Sequence, residues 1–350
     1  METDKGEMEE KIVMGKYKLT VAIPTYNRPK QLGHTLSVVL PQVLAHDDVQ
    51  LLVLDNCSPV PAVNVLKDVA KGAELPERIR AIRHVANIGG NGNILRCFEL
   101  AEGDWLWCLG DDDEPAADAV ETILHDISTA KFCYAFYRIF ENAPILSEDD
   151  EGQYIGASIK EWVRRVPAYG HRLFISSSVF KLEQMRPYLM TGYMVANSGG
   201  PHLTMAFLAV MNGGSYMLSD RTICNYLSPV SGAGYNCAPL AYGSTSLVMI
   251  IGNACPYGEY KNFFGDALAT WVAPQRLLND VIQLHGNYSR RLIRKNFGLI
   301  ACQFKPLLCD NPLAWLKWTI CQIFAFYPTV FVGLRGLWHR RHENQGSRGR

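Results

Sequence analysis

Apolar and polar positions follow two different periods along the first 140 residues of the chain. Short apolar runs that end in polar turn residues predict four buried strands, at residues 18–24, 49–54, 80–85 and 105–109. Between these runs the apolar residues recur at helical spacing, as in the stripe Leu32, Leu36, Val39 and Val43. Strands that alternate with helices predict an α/β fold with right-handed crossovers and a mostly parallel sheet flanked by helices.

The alternation weakens after residue 140. Apolar runs predict two further strands, at 132–140 and 173–180, and helical spacing predicts a helix at 202–211. Gly, Ser and Pro are frequent at 228–245, which predicts a loop, and helical patterns dominate the remainder.

Three consecutive carboxylates, Asp111, Asp112 and Asp113, directly follow the fourth apolar run. The carboxyl edge of an open parallel sheet is where such folds bind ligands. Clustered carboxylate oxygens suit Mg²⁺ or Mn²⁺, and these ions usually hold substrate phosphates as well. Thr25, Tyr26 and Asn27 follow the first run and Asp55 follows the second, so the sequence predicts that these residues share one edge.

Four ordered segments carry a resemblance to a known family. They are TVAIPTYNR at 20–28, VLDNCS at 53–58, NIG at 87–89 and LGDDD at 109–113. Together they resemble family 2 glycosyltransferases of the GT-A fold. Within that family the chain is most similar to bacterial sugar transferases that build O-antigen or capsular polysaccharide, the abequosyltransferase-like group among them.

The resemblance implies a role for each matching position. It implies a nucleotide-sugar donor and a Mn²⁺ or Mg²⁺ cofactor, with Asp113 as metal ligand and Asp111 bound to the ribose or the metal. Tyr26 would stack on the base, and Asp55 would accept hydrogen bonds from the base or ribose. The donor-binding set that the resemblance implies is Pro24, Thr25, Tyr26, Arg28, Asp55, Asn87, Gly89, Asn93, Asp111 and Asp112.

Each of these positions also has a purely structural interpretation. Pro24 and Asn27 are residues that terminate strands, and Asp55 suits a turn or a helix N-cap. Residues 111–113 alone would be an ordinary acidic turn, since such turns are common. Their order and their shared sheet edge favour the functional interpretation.

The resemblance also implies inversion at the anomeric carbon, so a general base should deprotonate the acceptor hydroxyl. The family usually places an acidic residue for this at a helix start, whereas residues 197–202 read NSGGPH. His202 is therefore the first candidate for the base or a further metal ligand, with a structural histidine as the alternative, and Asp220 is the second. Ser176, Ser177 and Ser178 are candidates for the acceptor side, or form the polar end of a strand.

Composition limits the class of partner. The counts of Lys plus Arg and of Asp plus Glu are equal, at 34 each, which argues against a nucleic-acid partner.

The ten cysteines show no Cys-x-x-Cys spacing, and the acidic N-terminus lacks the apolar region of a signal peptide. We therefore expect the protein to lie in a reducing cytoplasm. The run 318–334 is uncharged but is interrupted by Pro328, and it lies beside the basic cluster 290–295 and a basic tail. This pattern predicts a helix lying on the inner face of the plasma membrane, or a buried helix of the fold.

The expected organisation has four parts. An N-terminal tail at 1–17 precedes a GT-A domain at 18–245, which divides into a nucleotide-sugar half at 18–140 and an acceptor half at 141–245. A helical, membrane-associating region at 246–338 and a basic tail at 339–350 follow.

The family's processive synthases carry a Gln-x-x-Arg-Trp motif, which this chain lacks, so the resemblance implies transfer of one sugar per encounter. A glycan acceptor linked to a polyprenyl diphosphate would explain a C-terminus at the membrane surface, and this is the acceptor that we expect. A nucleotidyltransferase of similar fold and a non-catalytic nucleotide- or sugar-binding module are the alternatives. A dinucleotide-binding oxidoreductase is disfavoured because no Gly-x-Gly-x-x-Gly follows the first strand.

Overall fold

The structure is a computed structural model. It describes residues 15–139, 145–147, 150, 152–166, 173–196, 200–225, 274–285, 290–304 and 312–334. Residues 1–14 of the predicted tail at 1–17, the predicted loop at 228–245 and the basic tail lie outside these residues. The predicted domain boundaries near 140, 245 and 338 also fall outside them, so that division stays a prediction.

The described residues include ten strands and eleven α-helices, besides two short 3₁₀ turns and a further helical segment at 328–334. The strands are β1 (Tyr17–Thr25), β2 (Val49–Asp55), β3 (Ile79–Arg83), β4 (Gly103–Cys108), β5 (Glu114–Pro115), β6 (Tyr134–Tyr137), β7 (Gln153–Gly156), β8 (Ser178–Lys181), β9 (Tyr216–Ser219) and β10 (Cys224–Asn225). The helices are α1 (Pro29–Leu44), α2 (Ala62–Val69), α3 (Gly90–Leu100), α4 (Ala119–Ser128), α5 (Ile159–Arg165), α6 (Leu182–Met185), α7 (Leu189–Met194), α8 (Pro201–Met211), α9 (Pro274–His285), α10 (Arg290–Phe304) and α11 (Pro312–Phe324).

Eight strands form the central sheet in the order β3-β2-β1-β4-β8-β6-β9-β7. The first four strands in that order are mutually parallel, and β6 pairs with β9 in parallel as well. Strand β8 is antiparallel to both of its neighbours, and β7 is antiparallel to β9. The predicted α/β fold with a mostly parallel sheet and flanking helices is therefore confirmed.

Helices cover both faces of the sheet, and each face has its own apolar core. Alternation along β1 sends Leu19, Val21 and Ile23 to the core beneath α1, α2 and α4, while Ala22 faces the core beneath α3 and α8. Strand β2 is buried along its whole length, as expected for a parallel strand covered on both faces.

The strand predicted at 173–180 begins later than expected. A short 3₁₀ turn occupies Ile175–Ser177, and β8 starts at Ser178. The Ser176 carbonyl accepts a hydrogen bond from Trp107 Nε1 at 2.8 Å, which ties the turn to β4. Ser176 and Ser177 therefore lie in a turn at the sheet edge, and only Ser178 of the three serines belongs to the strand.

The described part of the C-terminal region is helical, as predicted, and its apolar residues join the core beneath α3 and α8. The run 318–334 is not one helix: α11 ends at Phe324, and a second helical segment covers 328–334. Pro328 explains the break, because proline lacks an amide hydrogen and suits the first turn of a helix. In the described ranges, no helix is long and apolar enough to cross a bilayer.

Candidate active site

The ends of β1, β2 and β4 meet at one edge of the sheet. Thr25, the last residue of β1, is paired in register with Asp55, the last residue of β2. The Thr25 hydroxyl also donates a 2.6 Å hydrogen bond to Asp111 Oδ2, in the loop after β4. Thr25 therefore adjoins the end of β2 through strand pairing and the loop after β4 through its side chain, and the predicted carboxylates share an edge.

Asp111 is held by two further groups. Arg28 Nη1 lies 3.0 Å from Asp111 Oδ1 and 2.7 Å from Asp112 Oδ2, so one guanidinium joins two of the three carboxylates. Burial raises the pKa of Asp111 above its usual range, while the Thr25 hydroxyl and Arg28 act in the opposite direction. The residue is 4% exposed.

The backbone of the acidic loop is fixed by a residue of α1 that the sequence does not single out. Thr35 is fully buried, and its hydroxyl lies 3.1 Å from the Asp111 carbonyl and 3.0 Å from the Asp113 carbonyl. Its only sequence signal is a polar residue within the apolar stripe of α1. This contact sets the direction of the loop that carries the carboxylates.

Asp113 lies against the 3₁₀ turn before β8. Ser176 Oγ donates to Asp113 Oδ2 at 2.5 Å and accepts from the Gly110 amide at 2.8 Å. Burial, together with the neighbouring Asp112 and Asp111, raises the pKa of Asp113 to about 7, although the Ser176 hydroxyl favours the charged form. Ser176 was a candidate for the acceptor side or for the polar end of a strand, and the structure places its hydroxyl on the carboxylate that was predicted to bind the metal.

The Asp55 carboxylate is engaged by the protein itself. Its oxygens accept from the Ser58 amide at 2.7 Å, from the Ala62 amide at 3.1 Å and from Arg83 Nη1 at 3.2 Å. It is 1% exposed, and this arrangement matches the turn-aspartate interpretation. Its role in base binding stays a prediction.

The loop between β3 and α3 is joined to the end of β2 through Asn56. Its side-chain amide donates to Asn87 Oδ1 at 2.9 Å, and its oxygen accepts from the Ile88 amide at 2.9 Å. Gly89 has φ +83°, a conformation that favours glycine, and it directly precedes α3. The exposed Asn87 and Gly89 therefore lie on the rim of the same edge.

The remaining predicted donor residues differ in exposure. Tyr26 is 45% exposed, and Pro24 is half-buried opposite Leu54 of β2. Asn93 is 2% exposed, and its side chain bonds the Leu54 carbonyl at 2.9 Å and His84 Nε2 at 2.8 Å. The accessible ring of Tyr26 is consistent with base stacking. The side chain of Asn93, in contrast, is already hydrogen-bonded to Leu54 and His84.

The two candidate bases stay predictions. His202 lies in the first turn of α8 and is 3% exposed. Burial lowers the pKa of His202 to about 4, and the interaction with the Leu173 backbone acts in the opposite direction. No described residue forms a hydrogen bond of good geometry with either ring nitrogen. Asp220 accepts a 2.7 Å bond from the Ile145 amide. Residues 197–199, which precede α8, lie outside the described part of the chain.

The acidic loop fits a divalent cation that is shared with a substrate. The described residues contain no group of three or more His, Cys, Asp or Glu side chains placed to hold a metal alone. A Mg²⁺ or Mn²⁺ site normally needs only one or two carboxylates, with phosphate and water completing the shell. Asp111 and Asp113 supply the one or two carboxylates that such a site needs, and a dication beside them would favour the charged form of Asp113, whose pKa is raised to about 7 by burial.

A comparison with known protein families matches the segment of the chain that forms this edge. Residues 20–176 match the family model for Glycosyl transferase family 2, and this segment runs from β1 through the acidic loop to Ser176. This part of the chain therefore belongs to glycosyl transferase family 2. The predicted family 2 glycosyltransferase domain is confirmed, which argues against a nucleotidyltransferase.

A relative and two solved structures show the same likeness. Abequosyltransferase RfbV of Salmonella typhimurium is 29% identical over 102 residues, which span 29% of this chain and 30% of the length of RfbV. TarS 1-349 of S. aureus has a TM-score of 0.57 at 11% identity, covering 89% of this chain and 90% of TarS 1-349. The mannosyltransferase PcManGT of Pyrobaculum calidifontis, solved with GDP-Man and Mn²⁺, has a TM-score of 0.54 at 13% identity, covering 93% and 89%. Both structures confirm the GT-A fold.

Proposed function

We propose that the protein is an inverting, metal-dependent, non-processive glycosyltransferase. It moves a sugar from a nucleoside-diphosphate donor to a glycan acceptor in bacterial surface polysaccharide synthesis. One observation carries the proposal: within a family 2 domain, Thr25, Asp111 and Asp113 converge at the carboxyl edge of the sheet, with Arg28 and Ser176 bound to the carboxylates.

The donor nucleotide is proposed to lie across the ends of β1 and β2. The exposed ring of Tyr26 offers a face on which a base can stack, and the rim at Asn87 and Gly89 lets backbone approach the nucleotide. Asp55 supports this region by holding the first turn of α2 through the Ala62 amide. The fold of a mannosyltransferase solved with GDP-Man supports this class of donor.

The diphosphate end of the donor is proposed to lie over the acidic loop. Asp113 and Asp111 would hold Mn²⁺ or Mg²⁺, which when bound neutralises the charge that develops on the departing diphosphate. Arg28 sits between Asp111 and Asp112 and keeps both carboxylates oriented. Ser176 holds one oxygen of Asp113, so the chain aligns the carboxylate before the donor arrives.

Inversion requires a group that takes the acceptor proton as the new bond forms. His202 and Asp220 remain the candidates, and a neutral imidazole at pH 7 is the form that accepts a proton. The acceptor is proposed to be a glycan linked to a polyprenyl diphosphate, with the enzyme cytoplasmic and peripheral on the inner face of the plasma membrane. The likeness to an abequosyltransferase and the absent Gln-x-x-Arg-Trp motif support one addition per encounter.

A panel of nucleotide sugars tests this function. We expect the purified full chain to release nucleoside diphosphate from one class of UDP-, GDP- or CDP-sugar when Mn²⁺ is present. Release should stop when EDTA removes the metal, because the leaving diphosphate then lacks its counter-charge. Chromatography of the nucleotide products measures this directly.

Two outcomes of the panel would contradict the proposal. Release of pyrophosphate instead of nucleoside diphosphate would indicate a nucleotidyltransferase. Binding of a nucleotide sugar without any turnover, in the presence of a polysaccharide-precursor extract, would indicate a non-catalytic binding module.

A further inference from the structure

Helix α11 is apolar on two opposite faces. Trp318, Cys321 and Ala325, just past its end, are at most 2% exposed and pack into the core. The other face carries four large aliphatic side chains at i, i+3, i+7 and i+10 spacing: Leu313 (64% exposed), Leu316 (49%), Ile320 (42%) and Ile323 (58%). A helix that packs on a core with one face normally presents polar residues on the other.

The exposed apolar surface continues past the end of α11. Phe326 is 48% exposed and Tyr327 is 58% exposed, in the turn that leads to the helical segment 328–334. We name these two residues and Leu313, Leu316, Ile320 and Ile323 the C-terminal apolar face. A contiguous exposed surface of this kind marks a place where another apolar body docks.

Positive charge lies beside this face. Arg290, Arg294 and Lys295 are exposed on α10, and the Arg294 guanidinium lies over the Phe326 ring at 4.9 Å from its centroid. Lys317 adds an exposed cation on α11. The sequence of 290–304 and 312–334 contains no Asp or Glu, so no acidic residue of these segments offsets the charge.

The length of α11 determines how it can meet a bilayer. Its 13 residues extend about 20 Å at 1.5 Å per residue, which is shorter than the hydrocarbon core of about 30 Å. Its inner face is also buried in the protein core. The helix can therefore bind a membrane only by lying along the surface, with its outer face in the boundary between headgroups and acyl chains.

A second copy of the chain is a poorer occupant. A two-fold contact through this face would place the same surface patch on both sides of the interface. The cations at Arg294 and Lys317 would then lie in a contact with an equally cationic patch, without acidic partners on 290–304 or 312–334. An anionic surface instead complements both the charge and the apolar side chains.

We propose that the C-terminal apolar face docks the protein in the plane of an anionic phospholipid bilayer. The aliphatic side chains enter the acyl boundary, and Arg290, Arg294, Lys295 and Lys317 bind headgroup phosphates. This proposal deepens the proposed function, since a lipid-linked acceptor would then meet the protein at the membrane surface.

Vesicle flotation with the full chain tests this inference. We expect the protein to float with phosphatidylcholine vesicles that contain phosphatidylglycerol, and to bind pure phosphatidylcholine vesicles at least about tenfold more weakly. High salt should weaken binding to the anionic vesicles, because it screens the headgroup charge.

Matched variants separate the face from general hydrophobicity. Leu316→Gln with Ile323→Gln is expected to lower binding more than about tenfold, since two large apolar side chains leave the acyl boundary. Leu44→Gln with Val63→Gln is the control, because these residues are similarly exposed (44% and 39%) on α1 and α2. The control pair should bind vesicles like the unaltered chain.

Three results would overturn the inference. The first is that the unaltered chain floats with neither kind of vesicle. The second is that the Leu316→Gln/Ile323→Gln variant floats like the unaltered chain. The third is that the unaltered chain forms a dimer without lipid and that this variant disrupts the dimer, as measured by light scattering. Release of nucleoside diphosphate from the donor alone needs no vesicle, so it reports on the proposed function separately.

Discussion

Replacing Asp113 with asparagine is expected to lower metal-dependent release of nucleoside diphosphate by about 10²- to 10³-fold. A divalent cation contributes several kcal/mol of charge stabilisation to such a transition state, and about 1.4 kcal/mol corresponds to a factor of ten. The amide removes the negative charge that holds the cation. Because burial already raises the pKa of Asp113 to about 7, the variant should fold at least as well as the unaltered chain. Product chromatography and thermal melting measure the two effects.

Two neighbouring variants control this result. Asp112→Asn changes the partly exposed third carboxylate, which contacts Arg28, and should cost less than about tenfold. Ser176→Ala keeps the charge of Asp113 but removes the hydroxyl that donates a hydrogen bond to it. Its turnover should lie between that of Asp113→Asn and that of Asp112→Asn, because alignment of the carboxylate is partly lost. Full metal-dependent turnover in Asp113→Asn would show that this carboxylate does not hold the metal.

Replacing Gly110 with alanine is expected to cost about 10- to 100-fold in turnover and about 1–3 kcal/mol in stability. A Cβ atom at Gly110 would overlap Asp113 Oδ2 and would crowd Ser176 Oγ at 3.2 Å. The Asp113 carboxylate must then rotate away from Ser176, or the loop must shift. Steady-state kinetics of donor hydrolysis and chemical denaturation measure the two losses.

Gly33→Ala is the matched control for Gly110→Ala. A Cβ at Gly33 meets only Val65 Cγ1 at 3.6 Å, an ordinary contact, and alanine favours the helical conformation of α1. Turnover of this variant should be unchanged, and its stability should be equal or higher. If Gly110→Ala behaves like this control, the packing of the acidic loop does not determine activity.

The sheet edge of the site could be predicted because strand ends are visible in the chain. Each apolar run ends at a polar residue, and parallel strands place those ends on one side of the sheet. The positions of Thr25, Asp55 and Asp111 therefore followed from the pattern alone. The helix predicted at 202–211 was also visible, from the helical spacing of its apolar residues.

The partners of these residues could not be predicted, because they come from distant parts of the chain. Thr35 is 76 residues from Asp111, and Ser176 is 63 residues from Asp113. No local pattern marks a serine as the donor to a carboxylate across the sheet. In the same way, the bonds of Asp55 to Ser58 and Ala62 depend on the turn that opens α2.

The C-terminal region shows a second limit of the sequence. The uncharged run 318–334 predicted an apolar helical stretch that Pro328 interrupts, and in the structure a second helical segment begins at Pro328. Composition indicated an apolar segment, yet it could not distinguish the buried face at Trp318 from the exposed face at Ile320. That distinction depends on packing against α9 and α10, and it determines which residues are available to a bilayer.

Calorimetry with UDP, GDP and CDP, each with and without Mn²⁺, tests the central claim most directly. We predict that one nucleotide binds the unaltered chain only with Mn²⁺, and that Asp113→Asn abolishes this metal-dependent binding. If no nucleotide binds, or if the variant binds the same nucleotide with the same metal dependence, then the edge formed by Thr25, Asp111 and Asp113 is not a donor site.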